Sequence, residues 1–385
     1  MYKISIIGGG ISGLSAAIAL SRFDLNIKVF EKSIRFSKLG AGIQLGPNAA
    51  CVISSLGIYE EVLKKSSAPK NFFVYDINSK KYLYKKPLGK NQIEIYGYPY
   101  LTILRSDLHA IMEKKVLKNK KIEIFKNTLI NDLILEGEVI AIRDQENNRF
   151  ESDALIGADG YNSFVRTNHF KHEVIKKIDS VAFRTLVKNE CEVSKKFSTD
   201  IKLWFGHQFH IVTYPVDQGK KINVVIVKKN EPNEEFFGWS NPCGFAELET
   251  IFNPKENLDL YQLLSKNKIW HKWPIYINEP IKNISDIVKG SIILCGDAGH
   301  YMKPHLAQGA SMALEDSYEI MKSFKKNHKT GINPWEKVFK KTASKRFYRI
   351  SKIQKISNRN GYIYQCSGVF RILRNFSLRI FGRII

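Results

Sequence analysis

Near its start the chain changes hydrophobic period twice. Lys3–Gly8 is an apolar run of strand length. Ile11–Arg22 then puts Ile11, Leu14, Ala17, Ile18 and Leu20 on a helical period with small residues between them, and Asn26–Glu31 is again strand-like. The pattern predicts strand, turn, helix, strand. Two later apolar runs, Ala154–Ala158 and Ser291–Cys295, predict strands that run straight into Asp159-Gly160 and Gly296-Asp297. Between them, Val181–Val187, Ile201–Phe205, His210–Pro215 and Asn223–Lys228 are rich in β-branched and aromatic residues and predict antiparallel strands. Beyond about Trp335 the pattern is helical and basic. A domain begun at the N-terminus is thus interrupted by a mostly β segment and resumed near Ser291.

Gly8-Gly9-Gly10-Ile11-Ser12-Gly13 is a GxGxxG at the junction of the first strand and helix. The pattern is weak alone and strong in this setting. Gly8 permits a tight turn, Gly10 lets backbone approach a pyrophosphate, and Gly13 lets helix and strand pack closely. With Ser12, the helix N-terminus offers free N–H groups and a positive dipole end to a diphosphate. Glu31 ends the second strand, about 20 residues on, where a carboxylate accepts hydrogen bonds from ribose hydroxyls. These features predict a dinucleotide site without distinguishing FAD from NAD.

Further motifs make that distinction by resemblance. Asp159-Gly160-Tyr161-Asn162-Ser163 with Arg166 resembles the DG motif of the group A flavoprotein monooxygenases, the FAD-dependent aromatic hydroxylases. Gly296-Asp297-Ala298-Gly299-His300, with Pro304 and Gln308-Gly309-Ala310, resembles their GD motif. Gly40-Ala41-Gly42-Ile43-Gln44-Leu45-Gly46-Pro47-Asn48-Ala49 is similar to the flavin-proximal loop of the salicylate and 3-hydroxybenzoate hydroxylase branch. Arg105 matches the family's FAD-contacting arginine, and Glu315-Asp316 its helix after the GD motif. The resemblance runs from Lys3 to about Arg349.

It implies an α/β fold: a Rossmann-like FAD-binding domain (1–70, 101–180, 281–334) interrupted by a mostly antiparallel β substrate domain (71–100, 181–280), with a C-terminal helical segment (335–385). It implies FAD as cofactor, NADH or NADPH as a transient donor without a second GxGxxG, and O2 as co-substrate. Asp297 is expected to bond the ribityl chain. Gly309 and Ala310 open a helix aimed at the flavin, and Asp159 with Arg166 serves the diphosphate and the passage of the nicotinamide. In the family, reduced flavin and oxygen give a C4a-hydroperoxide that hydroxylates an electron-rich aromatic carbon. His210-Ile211-Val212-Thr213-Tyr214-Pro215 resembles its HxxxYP strand, with His210 as base and Tyr214 as a substrate contact. Four residues apart on a strand, the two share a face. The plainer alternative is a buried structural histidine beside an ordinary strand tyrosine. Trp204, Phe205 and Phe209 are expected to supply aromatic bulk, and Trp270 and Trp273 to be core or interface. Gly299, Tyr301, Pro304 and His305 depart from the family pattern, so the substrate does not carry over.

Charge changes the picture little. The net charge is +23 over 385 residues, but doublets such as Lys64-Lys65 and Lys340-Lys341 are dispersed among acids, which reads as a solvated surface rather than a nucleic-acid site. No apolar run approaches the roughly 18–20 residues of a membrane span, and the first apolar run is too short for a signal peptide. A cytoplasmic protein, monomer or homodimer, is expected. The five cysteines have no metal or redox spacing, and no metal is expected. In the tail, Arg371, Arg374, Arg379 and Arg383 alternate with Phe370, Leu373, Phe376, Ile380 and Phe381, and packing on the protein itself or on a partner is favoured over membrane contact. The competing functions are a relative acting on a quinone precursor or other lipid-like substrate at a membrane surface, and a flavin-binding protein without turnover.

Overall fold

The computed structural model describes all residues except 35–40, 80, 173–176, 231–235, 237–240, 250, 252–256, 329–332 and 383–385. Gly40 and Arg383 of the sequence analysis therefore lie outside the described residues.

Six strands form the first sheet, in the order Val288–Lys289, Ile292–Leu294, Ala154–Gly157, Tyr2–Ile7, Leu25–Glu31, Ile122–Lys126. All neighbours are parallel except the first pair. The opening strand is central, so Ile4 and Ile6 are buried on one side while Ile7 joins a smaller cluster on the other. Helix Ile11–Leu20 is buried at all ten residues, because the sheet covers one side and helix Gly309–Asn327 the other. Its small side chains permit that double contact: Ser15 Oγ lies 2.6 Å from Ser317 Oγ, across 302 residues of sequence. Burying a side chain such as Leu14 here is worth about 1.5–3 kcal/mol.

The second sheet has eight strands: Asn241–Gly244, Ile269–Tyr276, Ile178–Lys188, Lys221–Lys229, Phe209–Val216, Ile201–Phe205, Asn71–Asp76 and Tyr82–Pro87. Only the pairing of Ile201–Phe205 with Asn71–Asp76 is parallel. The α/β class with an antiparallel second sheet is as expected, and the four strands predicted between Val181 and Lys228 fall within the observed ones, while the predicted Lys3–Gly8, Ala154–Ala158 and Ser291–Cys295 each run a residue past the observed strand at one or both ends. One face of this sheet packs a core of its own, with Val181, Phe183, Ile211, Val224 and the fully buried Trp270. The other face carries His210, Val212 and Tyr214, and it turns toward the first sheet's loops. Two helices, Trp335–Gln365 and Gly368–Phe381, complete the chain.

Candidate active site

The glycine turn is shaped for a ligand's backbone rather than for side chains. Gly8 sits at φ +105°, and a Cβ there or at Gly13 would collide with a carbonyl oxygen, of Ala158 and Gly8 respectively. A Cβ at Gly10 meets nothing within 4 Å. The space above the helix N-terminus is therefore open, as a pyrophosphate requires. Ser12 Oγ is buried and has no partner. Glu31 accepts from Gly9 N (2.8 Å) and Ser33 N (2.9 Å), which ties the second strand to the turn and leaves each oxygen a lone pair for a ribose.

Asp297 projects from the Gly296 turn with an exposed carboxylate. The protein mass around it raises its pKa by desolvation, against the pull of His300, Arg105 and Arg166. Arg166 donates to the carbonyls of Asp297 (3.2 Å) and Ala298 (3.0 Å) and also to Tyr161 O, clamping the two motif turns together. Asp159 is occupied locally: it accepts from Ser163 Oγ at 2.6 Å and from Val165 N at 3.2 Å. Gly309 opens its helix into free space, with half-buried Ala310 beside it.

The segment Ala41–Gly46, in which Gly42–Leu45 is a short strand paired antiparallel with Leu101–Leu104, is tied to the second sheet. Ala41 O accepts from Arg105 N at 2.9 Å. Gly42 N donates to Asn223 Oδ1 at 2.7 Å, and Gly42 O accepts from Tyr214 OH at 2.7 Å. A Cβ on Gly42 would come within 2.7 Å of the Tyr214 ring. Asn48 bridges onward to Gln308 Oε1 (3.1 Å) and Glu315 Oε1 (2.7 Å). Tyr214 thus holds the start of this strand. Its hydroxyl is buried and its pKa is pushed up by desolvation.

His210 is buried on the same face, 5.2 Å between ring centroids from both His305 and Tyr364. Burial, and secondarily the nearby His305, holds its pKa well below the usual imidazole range, so the ring is neutral. Its Nδ1 and that of His305 have no hydrogen-bond partner. Arg184 Nε and Asn223 Nδ2 are also unpartnered on this face. His207 is exposed, away from the site. Trp270 is core, while Trp273 is half-buried beneath Arg184.

Sequence reasoning missed the support from behind. Arg346 Nε donates to buried Asp316 (2.9 Å) and its fork also reaches Glu315, while Asp316 accepts from Gly296 N (3.1 Å) and lies 2.6 Å from His300 Nε2. The Glu315-Asp316 pair was visible in sequence. Its arginine partner, 30 residues away, had no signal of its own.

Residues 1–330 match the family model described as an FAD binding domain. The chain belongs to this family. It is 30% identical over 373 residues to 3-hydroxybenzoate 6-hydroxylase of Polaromonas naphthalenivorans, covering 97% of this chain and 90% of that protein. It is 30% identical over 363 residues to 6-hydroxynicotinate 3-monooxygenase of Bordetella bronchiseptica, covering 94% and 92%. The solved structure of a salicylate hydroxylase substrate complex shares the fold, with a TM-score of 0.81, 23% identity, and coverage of 98% and 93%. As the sequence motifs implied, the chain is an FAD-dependent monooxygenase of the aromatic hydroxylase group. The open space at Gly10 and Gly309, the orphaned Ser12 hydroxyl and the free Asp297 carboxylate fit the cofactor. Among the described residues no helix is long and apolar enough to cross a membrane.

Proposed function

We propose that this enzyme hydroxylates a small hydroxylated aromatic or heteroaromatic ring held against the His210–Tyr214 face of the second sheet. One oxygen atom of O2 enters the ring and the other leaves as water, with two electrons supplied by NADH or NADPH. The observation that carries the reading is the set of buried, unpartnered polar atoms on that face: His210 Nδ1, Asn223 Nδ2 and Arg184 Nε. Buried polar groups are nearly always satisfied in a folded protein, so three orphans on one face, beside the Ala41–Gly46 segment, support a polar ligand there.

FAD supplies the oxidising chemistry when bound. Gly8, Gly10, Ser12 and Gly13 would hold its diphosphate, Glu31 its ribose, Asp297 its ribityl chain, and Ala41, Gly42, Arg105, Gly309 and Ala310 would border its ring. Asp159 shapes the turn from which Arg166 reaches the Asp297 loop. Neutral His210 is the base: its free nitrogen accepts the phenol proton, which makes the ring a better nucleophile. Tyr214 positions the strand that Gly42 begins rather than the proton. His305 and Tyr364 exclude water from the imidazole.

His210→Ala tests the assignment. The variant should keep FAD, identified by mass after release, and should still be reduced by NAD(P)H. Product per bound flavin should fall by roughly 10²–10⁴-fold at neutral pH, with the deficit shrinking at high pH, where the phenol ionises unaided. A folded, FAD-loaded variant with near-normal coupled hydroxylation at neutral pH would falsify the role. A lower melting temperature with normal turnover would mark His210 as structural.

A further inference from the structure

On the last helix, Gly368–Phe381, the inward side is polar and the outward side is apolar. Arg374 and Leu378 are buried, and Arg371 and Asn375 turn in beside them; the three polar side chains bond the carboxylate of Asp76. At 3.6 residues per turn these four share one side. The opposite side carries Val369, Ile372, Leu373, Phe376 and Ile380, spaced i, i+3, i+4, i+7 and i+11, with Phe370 at its margin. All six are 56–75% exposed. Single exposed apolar residues are ordinary, whereas a contiguous stripe marks a surface that meets something. Asp76 holds the arginines in and so holds the stripe out. The helix cannot roll to bury it without leaving a buried carboxylate unpaired.

Positive charge is concentrated in the same part of the chain. From Lys337 to Ile385 the sequence has 13 lysines and arginines and no acidic residue. Arg379, three residues beyond Phe376, is exposed on the flank of the stripe. The helix packs on edge strand Tyr82–Pro87, where Leu83 and Tyr84 share a cluster with Leu378. Lys86 pairs across that edge with Phe72, which packs on the same cluster, so exposed Lys86 stands on the helix's side of the strand. Residues 77–93, which contain the strand, carry five lysines and no acid. A second copy of the chain would meet this stripe with its own stripe about a twofold axis. That sets cation against cation, with no acid on either helix to pair them. An anionic bilayer offers the complement of both features: acyl chains for the stripe, and phosphates for Arg379 and Lys86.

We infer that helix Gly368–Phe381 is a docking surface for an anionic lipid bilayer, on which the enzyme rests with the stripe in the headgroup layer. The contact is interfacial, since among the described residues no helix is long and apolar enough to cross a membrane. It weakens as salt screens the exposed cations.

Flotation of the full-length, FAD-loaded enzyme with lipid vesicles tests this. Vesicles of phosphatidylglycerol and phosphatidylcholine in equal parts should carry the enzyme with them, and pure phosphatidylcholine should bind it about tenfold less. Phe370→Gln, Leu373→Gln and Phe376→Gln together should weaken binding about 10²-fold. FAD content and melting temperature should not change, because these side chains are exposed and glutamine keeps helix propensity. Arg379→Glu with Lys86→Glu should weaken binding about tenfold or more. Lys114→Glu with Lys118→Glu makes the same change of net charge at exposed positions on the first sheet's side, and should have little effect. If that control pair weakens binding as much as Arg379→Glu with Lys86→Glu, or if the glutamine variant binds like wild type, overall charge alone is acting and the assignment falls. Absence of binding to either vesicle also overturns it. If the wild type is then a dimer in sedimentation equilibrium, and the glutamine variant a monomer, a second copy covers the stripe instead.

Discussion

His305 and His210 show how a residue's neighbours set its chemistry. Both imidazoles are buried, and burial pulls the His305 pKa down to about 4. In the unfolded chain a histidine titrates near 6.5. Below that pH the unfolded state takes up a proton that the folded state refuses, so stability falls as the solution is acidified from about pH 6.5 toward 4. For His305 alone the loss at pH 5 is roughly 2 kcal/mol. His305→Gln should therefore flatten the fall in melting temperature between pH 7 and pH 5. A wild-type melting point constant across that range would contradict it. The sequence made His305 visible only as a departure from the family pattern. That it stands beside His210 depends on the turn Pro304–Leu306 meeting strand Phe209–Val216, which no spacing encodes. Tyr214 was legible as a neighbour of His210 on one face. Its bond to Gly42 was not, because the partner lies 172 residues away.

At the scale of elements, short strands and the glycine helix were readable because local period and burial agree there. Ile11–Leu20 needs small residues wherever it faces helix Gly309–Asn327, and the sequence shows them. The link from helix Trp335–Gln365 to the Gly296 turn is another matter. It runs through Arg346 and Asp316, where burial raises the carboxyl pKa but His300 and Arg346 outweigh it and hold the group ionised. Arg349 binds Glu315 from outside, at 2.6 Å, with a side chain 44% exposed. The two arginines should therefore differ. Arg346→Met strands a buried carboxylate and should cost about 3–5 kcal/mol, with weaker FAD binding as the Gly296 turn loosens. Arg349→Met removes a solvated pair and should cost about 1 kcal/mol or less. Urea unfolding of both variants decides it, and equal losses would contradict the network.

Across the whole molecule, the tail reverses the usual arrangement of an amphipathic helix. Its alternation of arginine and apolar residues invites an apolar-inward reading. In the structure Phe370, Leu373 and Phe376 are exposed, while Arg371 and Arg374 turn in to the buried carboxylate of Asp76, at 2.8 Å from Arg371 Nε and 3.3 Å from Arg374. The reason lies nearly 300 residues earlier. Asp76 ends a strand of the second sheet in an apolar setting, and a buried carboxylate there requires cations. Arg374 also covers the Phe205 ring at 4.3 Å, and Phe205 lies 5.0 Å from Tyr364, the residue that packs on His210. The chain's end is thus coupled to the substrate face through two rings. Asp76→Ala in the full chain leaves Arg374 buried without its acid and should cost about 3–5 kcal/mol. The same substitution in a chain ending at Cys366, where both arginines are gone, should be neutral or stabilising, because the carboxylate then has no partner to lose. FAD content should hold in every variant, since the glycine turn and the Gly296 loop lie on the first sheet, while coupling of NAD(P)H oxidation to product should drop once Tyr364 loses its backing. Equal costs of Asp76→Ala in the two backgrounds, measured by urea unfolding, would show that the tail is not held by this ion pair.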